Sequence, residues 1–124
     1  MGLRVLLVDD EQDIIEVIQD RLEAYGFTVA TAGTGFEALK RLSVEKFDGV
    51  FLDVKMPEMG GIEALEEIRK RDKKIPVIII TSSSSREAAI EALEKGANEF
   101  LLKPFEWEEL KNKVQKVFDI RLEG

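Results

Sequence analysis

The stretch GVFLDVKMPEMGG, residues 49–61, contains a short run of strand-forming residues that ends in a single acid. Val50 to Leu52 form the apolar run, Asp53 follows it, and Pro57 and Gly60-Gly61 break the chain into a loop. Ligands of α/β proteins bind beyond the carboxyl ends of the strands, so Asp53 is a candidate functional residue. An Asp at a strand end can equally hydrogen-bond its own loop. Residues elsewhere in the chain are needed to distinguish these two interpretations.

Length and composition narrow the class of protein. The 124 residues suffice for one domain, and a content of 44% hydrophobic and 35% charged residues is typical of a globular chain. Cys and His are both absent, which excludes disulfides and argues against zinc sites and Ser-His catalytic triads. The net charge of −7 argues against nucleic acid as a direct partner of this domain, because phosphate binding needs clustered Lys and Arg.

The sequence also predicts a location. No apolar run approaches the length of a membrane span, and Met1–Arg4 leads directly into a strand-like run, so neither a membrane anchor nor a signal peptide is expected. The lack of cysteine is typical of cytoplasmic proteins. We therefore predict a cytoplasmic location.

Strand-like runs alternate with amphipathic helical patterns five times along the chain. This alternation predicts an α/β fold with a five-stranded parallel sheet, right-handed crossovers and helices on both faces. The predicted strands are Leu3–Val8, Phe27–Thr31, Val50–Leu52, Ile75–Thr81 and Glu99–Leu102.

The boundaries follow from end signals. One domain is predicted over residues 1–121, and residues 122–124 are interpreted as a tail such as a cloning remnant. The last helix is expected to run to about Ile120, and Arg121–Gly124 is expected to be frayed. Ser84 or Ser85 is the predicted N-cap of the fourth helix.

Polar residues follow four of the predicted strands. In a parallel sheet the loops after strands one, three, four and five gather at one edge, and they begin with Asp9-Asp10, Asp53, Thr81-Ser82 and Lys103-Pro104. Carboxylates that converge repel one another unless a cation lies between them, and hard oxygen donors with open positions suit Mg²⁺. Each piece alone has an ordinary explanation, since Asp9-Asp10 can be a solvated helix start and Lys103 a surface lysine.

Together, these residues suggest phosphoryl chemistry. A carboxylate nucleophile beside Mg²⁺ and a lysine is the arrangement that an aspartyl-phosphate requires, because cations neutralise charge on the transferred group. Lys103 supplies the second cation, and the Thr81 hydroxyl can bond a phosphoryl oxygen. The serine run 82–85 is interpreted as loop and capping residues rather than as phosphorylation sites.

Four motifs in order resemble the response regulator receiver domain, and the resemblance covers essentially the whole chain. The motifs are Val8-Asp9-Asp10, Leu52-Asp53-Val54-Lys55-Met56-Pro57, Ile80-Thr81-Ser82 and Lys103-Pro104-Phe105. The resemblance implies a flavodoxin-like (βα)5 fold with strand order 2-1-3-4-5.

The resemblance implies a role for each matching residue. Asp53 is the expected phosphoacceptor, and the expected Mg²⁺ ligands are Asp9, Asp10, Asp53 and the backbone carbonyl of Lys55. Asp9 is expected to reach the metal mainly through water. Thr81 and Lys103 are expected to contact the phosphoryl group, and the Lys103–Pro104 bond is expected to be cis.

The implied function is phosphorylation-controlled signalling in a two-component system. A histidine kinase or a histidine phosphotransfer protein would donate the phosphoryl group, and the domain would catalyse only its own phosphorylation and dephosphorylation. Thr81 and the switch aromatic Phe100 would then alter the face formed by helix 4, strand 5 and helix 5, for a downstream partner or for homodimerisation. We expect Phe100, which lacks a hydroxyl, to favour the inward position more readily than Tyr would.

Two residues depart from the family pattern. Gly60 stands where an Asp is common before Gly61, which is expected to loosen that loop. The long cation of Lys55 is hypothesised to lie over the phosphoryl group and to slow its hydrolysis.

Three other classes of protein are alternatives to a receiver domain. A haloacid-dehalogenase-type phosphatase needs a second Asp at the place of Lys55, and a flavin binder needs a Ser/Thr/Gly-rich phosphate loop where Asp9-Asp10-Glu11 stands. The remaining alternative is a non-phosphorylated pseudo-receiver that acts as an interaction module.

Overall fold

The computed structural model describes residues 2–56 and 58–123. Within these ranges, five strands alternate with five α-helices, as the sequence predicts. The elements are β1 (Arg4–Val8), α1 (Gln12–Ala24), β2 (Thr28–Ala32), α2 (Gly35–Val44), β3 (Gly49–Leu52), α3 (Gly61–Arg71), β4 (Val77–Ser82), a 3₁₀ turn (Ser83–Ser85), α4 (Arg86–Glu94), β5 (Glu99–Lys103) and α5 (Trp107–Phe118).

The strands form one parallel sheet in the order β2-β1-β3-β4-β5, which confirms the predicted fold. Val8 of β1 pairs with Leu52 of β3, and Ser82 of β4 pairs with Lys103 of β5. The register therefore brings the carboxyl ends of the strands to one edge, from which the loops carrying the predicted site residues start.

Two apolar layers sandwich the sheet, and strand alternation divides the residues between them. Leu6 and Val8 face a layer that also contains buried residues of α2, α3 and α4. Val5 and Leu7 face the opposite layer, which contains buried residues of α1 and α5. Because both faces are covered, β1, β3 and β4 are almost entirely apolar, as expected for parallel strands.

Local signals fix several helix ends. Thr34 caps α2 by accepting a 3.0 Å hydrogen bond from the N–H of Glu37. Gly26 follows the C-cap residue Tyr25 of α1 and has a φ of 101°, at which a residue with a Cβ would be strained. Ser85 occupies the N-cap position of α4, one of the two predicted, but its side chain makes no capping bond.

The element ends differ from the prediction by one or two residues. Strand β2 lies one residue later than expected, at Thr28–Ala32, and β5 extends to Lys103. Helix α5 ends at Phe118 because Asp119 adopts a left-handed conformation with a φ of 54°.

Leu122 also differs from the expected frayed end at Arg121–Gly124, of which Gly124 lies outside the described residues. Leu122 is 8% exposed and packs in the apolar layer that contains buried residues of α1 and α5. Its N–H donates a 2.7 Å hydrogen bond to Oε1 of Gln115. The predicted domain boundary at residue 121 stays a prediction. None of the helices in the described ranges has the length and apolar character needed to cross a lipid bilayer.

Candidate functional site

Asp53 lies immediately after β3 at the carboxyl edge of the sheet and is 4% exposed. Its N–H donates to the carbonyl of Val8, which continues the pairing of β3 with β1. Its Oδ1 accepts two hydrogen bonds, from Thr81 Oγ1 at 2.7 Å and from the N–H of Lys55 at 3.0 Å. Asp53 therefore bonds its own loop, as one interpretation predicts, and it also contacts the neighbouring strand β4 through Thr81.

Gly61 allows the loop to pack closely behind Asp53. A Cβ on Gly61 would clash with the backbone of Asp53 and Val54. The N–H of Gly61 bonds the Val54 carbonyl at 2.9 Å. Gly61 is therefore required for the start of α3 to approach the backbone that presents Asp53.

Asp9 and Asp10 follow β1 and differ in exposure. Asp9 is 2% exposed, and its Oδ1 accepts a 3.0 Å bond from the N–H of Glu11, whereas Asp10 is exposed. Asp9, Asp10, Glu11 and Asp53 each offer one carboxylate oxygen, and these oxygens all lie within 4.8 Å of one another. Glu11 was not predicted as a member of this cluster, although its place in the acidic run after β1 could have indicated it.

Lys103 is the cation of the site. Its Nζ lies 3.0 Å from Oδ2 of Asp9 and 3.5 Å from Oδ2 of Asp53, and its side chain is 15% exposed. Lys103 is therefore not an ordinary surface lysine, since it is held between the two most buried carboxylates of the site. The Lys103–Pro104 peptide bond is cis, as predicted.

The electrostatics of Asp53 reflect this arrangement. Burial raises the pKa of Asp53 above its ordinary value, and the nearby charge of Asp9 raises it further. The hydrogen bonds from Thr81 and from the Lys55 N–H, and the charge of Lys103, lower the pKa without cancelling the rise. The protein alone therefore does not fully stabilise the negative charge of Asp53. A divalent cation beside the carboxylate would favour the charged form.

The carboxylate cluster fits Mg²⁺ by the chemistry of its donors. It offers hard oxygen ligands on one side of Asp53, and Mg²⁺ binds through a few carboxylates while keeping several waters. The exposed position of Asp10 leaves room for those waters. The predicted ligation by the Lys55 carbonyl stays a prediction.

An open cleft of about 750 Å³ leads from solvent to the site. Asp10, Asp53, Thr81 and Lys103 contribute to its polar side. Its other side is apolar and comes from α1, from the loop before α5 and from the first residue of α5, with Ile14, Val17, Ile18, Phe105 and Trp107. Val17 is 53% exposed, so this apolar wall is accessible from solvent.

Phe100 lies away from the cleft, on β5. It pairs with Ile79, while Thr81 pairs with Leu102 two positions further along. Residues 79, 81, 100 and 102 therefore point to the same face of the sheet, and Phe100 is partly buried against the layer that contains Ile79. Thr81 and Phe100 are diagonal neighbours on one face.

A five-stranded parallel sheet with a buried strand-end carboxylate, flanked by a hydroxyl, a lysine and further acids, is the framework of a phosphoacceptor-type signalling domain. Residues 5–115 match the family model of the response regulator receiver domain. The chain belongs to this family.

Curated relatives agree with this assignment. The chain is 40% identical over 115 residues to the transcriptional regulatory protein ZraR of Escherichia coli (strain K12), covering 93% of this chain and 26% of ZraR. It is 35% identical over 117 residues to the alkaline phosphatase synthesis transcriptional regulatory protein PhoP of Bacillus subtilis (strain 168), covering 94% of this chain and 49% of PhoP. The chain thus spans about a quarter to a half of the length of these relatives.

A solved structure adds information about the site. The response regulator protein TrrA of Thermotoga maritima, in complex with Mg²⁺-BeF, superposes with a TM-score of 0.82 at 38% identity, covering 93% of this chain and 98% of that chain. Receiver domains bind Mg²⁺ at this acidic pocket. The chain is therefore a response regulator receiver domain, which is a signalling domain of two-component systems.

Proposed function

We propose that Asp53 accepts a phosphoryl group from the phosphohistidine of a histidine kinase or a histidine phosphotransfer protein, in a reaction that uses Mg²⁺. The observation that carries this proposal is the convergence on the Asp53 carboxylate. Oδ1 accepts hydrogen bonds from Thr81 and from the Lys55 N–H, Oδ2 faces Lys103 at 3.5 Å, and the carboxylate belongs to the acidic cluster.

In the transfer, a carboxylate oxygen of Asp53 forms a bond to phosphorus, and the phosphorus–nitrogen bond of the donor breaks with its electron pair passing to the imidazole. Lys103 is close enough to neutralise charge on the phosphoryl oxygens. The Thr81 hydroxyl, which now donates to Asp53, can donate to a phosphoryl oxygen instead. Asp10, Asp53 and the Lys55 carbonyl would hold Mg²⁺ directly and Asp9 mainly through water, and the ion would supply additional positive charge at those oxygens.

The cleft offers a place for the donor protein. Its apolar wall on α1 includes the exposed Val17, and this wall continues into the polar side that holds Asp53. An apolar surface of the donor resting on Val17 and Phe105 would bring a phosphohistidine to the site and exclude water from it.

The output would pass through Phe100. Because Thr81 and Phe100 are diagonal neighbours on one face of the sheet, withdrawal of the Thr81 hydroxyl toward a phosphoryl group changes the space available to Phe100. We propose that this shifts a two-state equilibrium of the face formed by α4, β5 and α5, which then binds a downstream protein or a second copy of the chain. The relatives are transcriptional regulators, so contacts with DNA would belong to other domains.

The test is the intact mass of the protein after incubation with a small-molecule phosphodonor and Mg²⁺. We expect one phosphoryl adduct in the wild type and none in Asp53→Asn. An adduct that survives in Asp53→Asn would place the acceptor elsewhere.

The pseudo-receiver alternative predicts a different result from the same experiment. A domain that keeps only the fold would acquire no adduct, even with saturating donor and Mg²⁺. The cytoplasmic location, where kinase and Mg²⁺ would be available, stays a prediction.

A further inference from the structure

Helix α1 carries three acids along one side, Asp13, Glu16 and Asp20, which form the acidic stripe. The three residues are neighbours because positions three and four apart meet on a helix surface. All three are exposed, and none forms an ion pair with another residue in the described ranges. The acidic stripe is therefore a concentration of negative charge that the described part of the chain does not pair.

Val17 connects the acidic stripe to the apolar wall of the cleft. It follows Asp13 by four residues and precedes Asp20 by three, so it borders the stripe. It also lines the cleft together with Ile14, and it is 53% exposed. A protein surface that covers Val17 therefore meets the acidic stripe at the same time.

The cations near the cleft do not neutralise the acidic stripe. Arg21 is the one cation of α1, and its guanidinium lies 4.4 Å from the centroid of the Trp107 ring, on the wall of the cleft. The carboxylate cluster suited to Mg²⁺ contains no member of the stripe, so a bound ion would compensate the acids around Asp53 instead. Glu106 and Glu108, on either side of Trp107 in the sequence, are exposed as well. The apolar wall thus has an acidic border.

We propose that the acidic stripe selects a donor protein whose docking surface carries lysine or arginine beside an apolar patch. The apolar patch covers Val17 and the wall of the cleft, and the basic side chains lie against the stripe. A donor with acidic side chains at that place meets like charges and binds poorly. This inference rests on the proposed docking of the donor along α1, and it adds the charge that the donor surface carries.

The test uses two synthetic helical peptides with the same apolar face, one bordered by lysines and the other by glutamates. Each peptide is titrated into the unphosphorylated protein with Mg²⁺ present, and amide and indole chemical shifts are followed. With the lysine peptide we expect saturating shifts centred on residues 13–20 and on the Trp107 indole. We expect no saturable binding of the glutamate peptide. Raising the salt concentration from about 50 to about 200 mM should weaken the lysine peptide, because salt screens exposed charges.

Single substitutions separate the charge of the stripe from the charge of the whole protein. Asp20→Asn should weaken binding of the lysine peptide about threefold, the effect of one exposed ion pair. Glu63→Gln is the matched control and should leave the affinity unchanged. It removes an exposed acid in the first turn of α3, whose buried residues pack in the layer on the other face of the sheet. Val17→Ser should weaken binding about fivefold, since roughly half of a valine side chain would no longer be buried by the peptide.

Three results would overturn the inference. These are equal affinity for the two peptides, shifts spread over the whole surface, and equal weakening by Asp20→Asn and Glu63→Gln. The peptide experiment involves no phosphoryl transfer, so it can fail separately from the proposed function. A protein that acquires the adduct at Asp53 but binds the two peptides equally would overturn only the charge of the donor surface. A missing adduct would overturn the phosphoryl transfer itself.

Discussion

Thr81 donates a 2.7 Å hydrogen bond from its hydroxyl to Oδ1 of Asp53, across the boundary between β4 and β3. Both residues are buried, so the bond is shielded from water. In the proposed switch, the hydroxyl that holds the free carboxylate would be the group that changes partners when Asp53 carries a phosphoryl group. Thr81 would then connect the chemistry at Asp53 to the face of the sheet that holds Phe100.

Thr81→Ala is expected to separate phosphorylation from switching. The variant keeps Asp53 and Lys103, so it should still acquire the phosphoryl adduct, but the aromatic resonances of Phe100 should no longer respond to it. Loss of a hydrogen bond to a charged group should also lower the free energy of unfolding by about 1–3 kcal/mol. Thr81→Ser, which retains the hydroxyl, is the control. An unchanged Phe100 response in Thr81→Ala would contradict this role.

Mg²⁺ binding is expected to depend on Asp10. Millimolar Mg²⁺ should raise the melting temperature of the wild type, because a ligand at 100 times its Kd stabilises the folded state by about 2.7 kcal/mol. Asp10→Ala should abolish the increase. Asp13→Ala is the matched control, since Asp13 is an exposed acid in the first turn of α1 but lies outside the four-carboxylate cluster. Equal loss of the increase in both variants would indicate a diffuse charge effect rather than a site.

The Lys55 side chain is expected to slow loss of the phosphoryl group. Lys55 contacts Asp53 through its backbone N–H, so Lys55→Ala preserves that bond and removes only the exposed cation. We expect dephosphorylation about threefold faster in Lys55→Ala, the effect of one exposed charge. The decay of the adduct, followed by intact mass, measures it. Lys55→Arg should retain the wild-type lifetime, and an unchanged lifetime in Lys55→Ala would refute the hypothesis.

The convergence of Asp9, Asp53, Thr81 and Lys103 could be predicted because it follows from topology. Each residue lies at or directly after the carboxyl end of a strand, and parallel strands present these ends at one edge, so sequence position predicts which residues are neighbours. The burial of β1, β3 and β4 on both faces could also be predicted, because these strands are almost entirely apolar.

Side-chain geometry could not be predicted in this way. Sequence patterns do not show that the Lys103 ammonium lies nearer to Asp9 than to Asp53, because both carboxylates are within reach of a four-carbon stem. Nor do they show that Leu122 packs in the apolar layer with residues of α1 and α5, since this contact comes after the left-handed residue Asp119. Nor does the serine run show that the Ser85 hydroxyl is buried without a hydrogen-bond partner among the described residues.

Glu99 is expected to link the stability of the α4, β5 and α5 face to pH. Burial of Glu99 favours its neutral form, but hydrogen bonds from Lys113 at 2.8 Å and Lys116 at 2.9 Å lower the pKa to about 2, from an ordinary value of 4.5. A carboxyl whose pKa is lower in the folded state contributes stability above its unfolded pKa, and loses it as the pH falls through the folded pKa.

Chemical denaturation should therefore show Glu99→Gln less stable than the wild type at pH 7, with the difference shrinking between pH 4.5 and about 2. Glu16→Gln, which alters an exposed glutamate of α1, should have little effect at pH 7. If Glu99→Gln were less stable than the wild type by the same amount down to pH 2, the loss of stability would come from packing and not from the charge of Glu99.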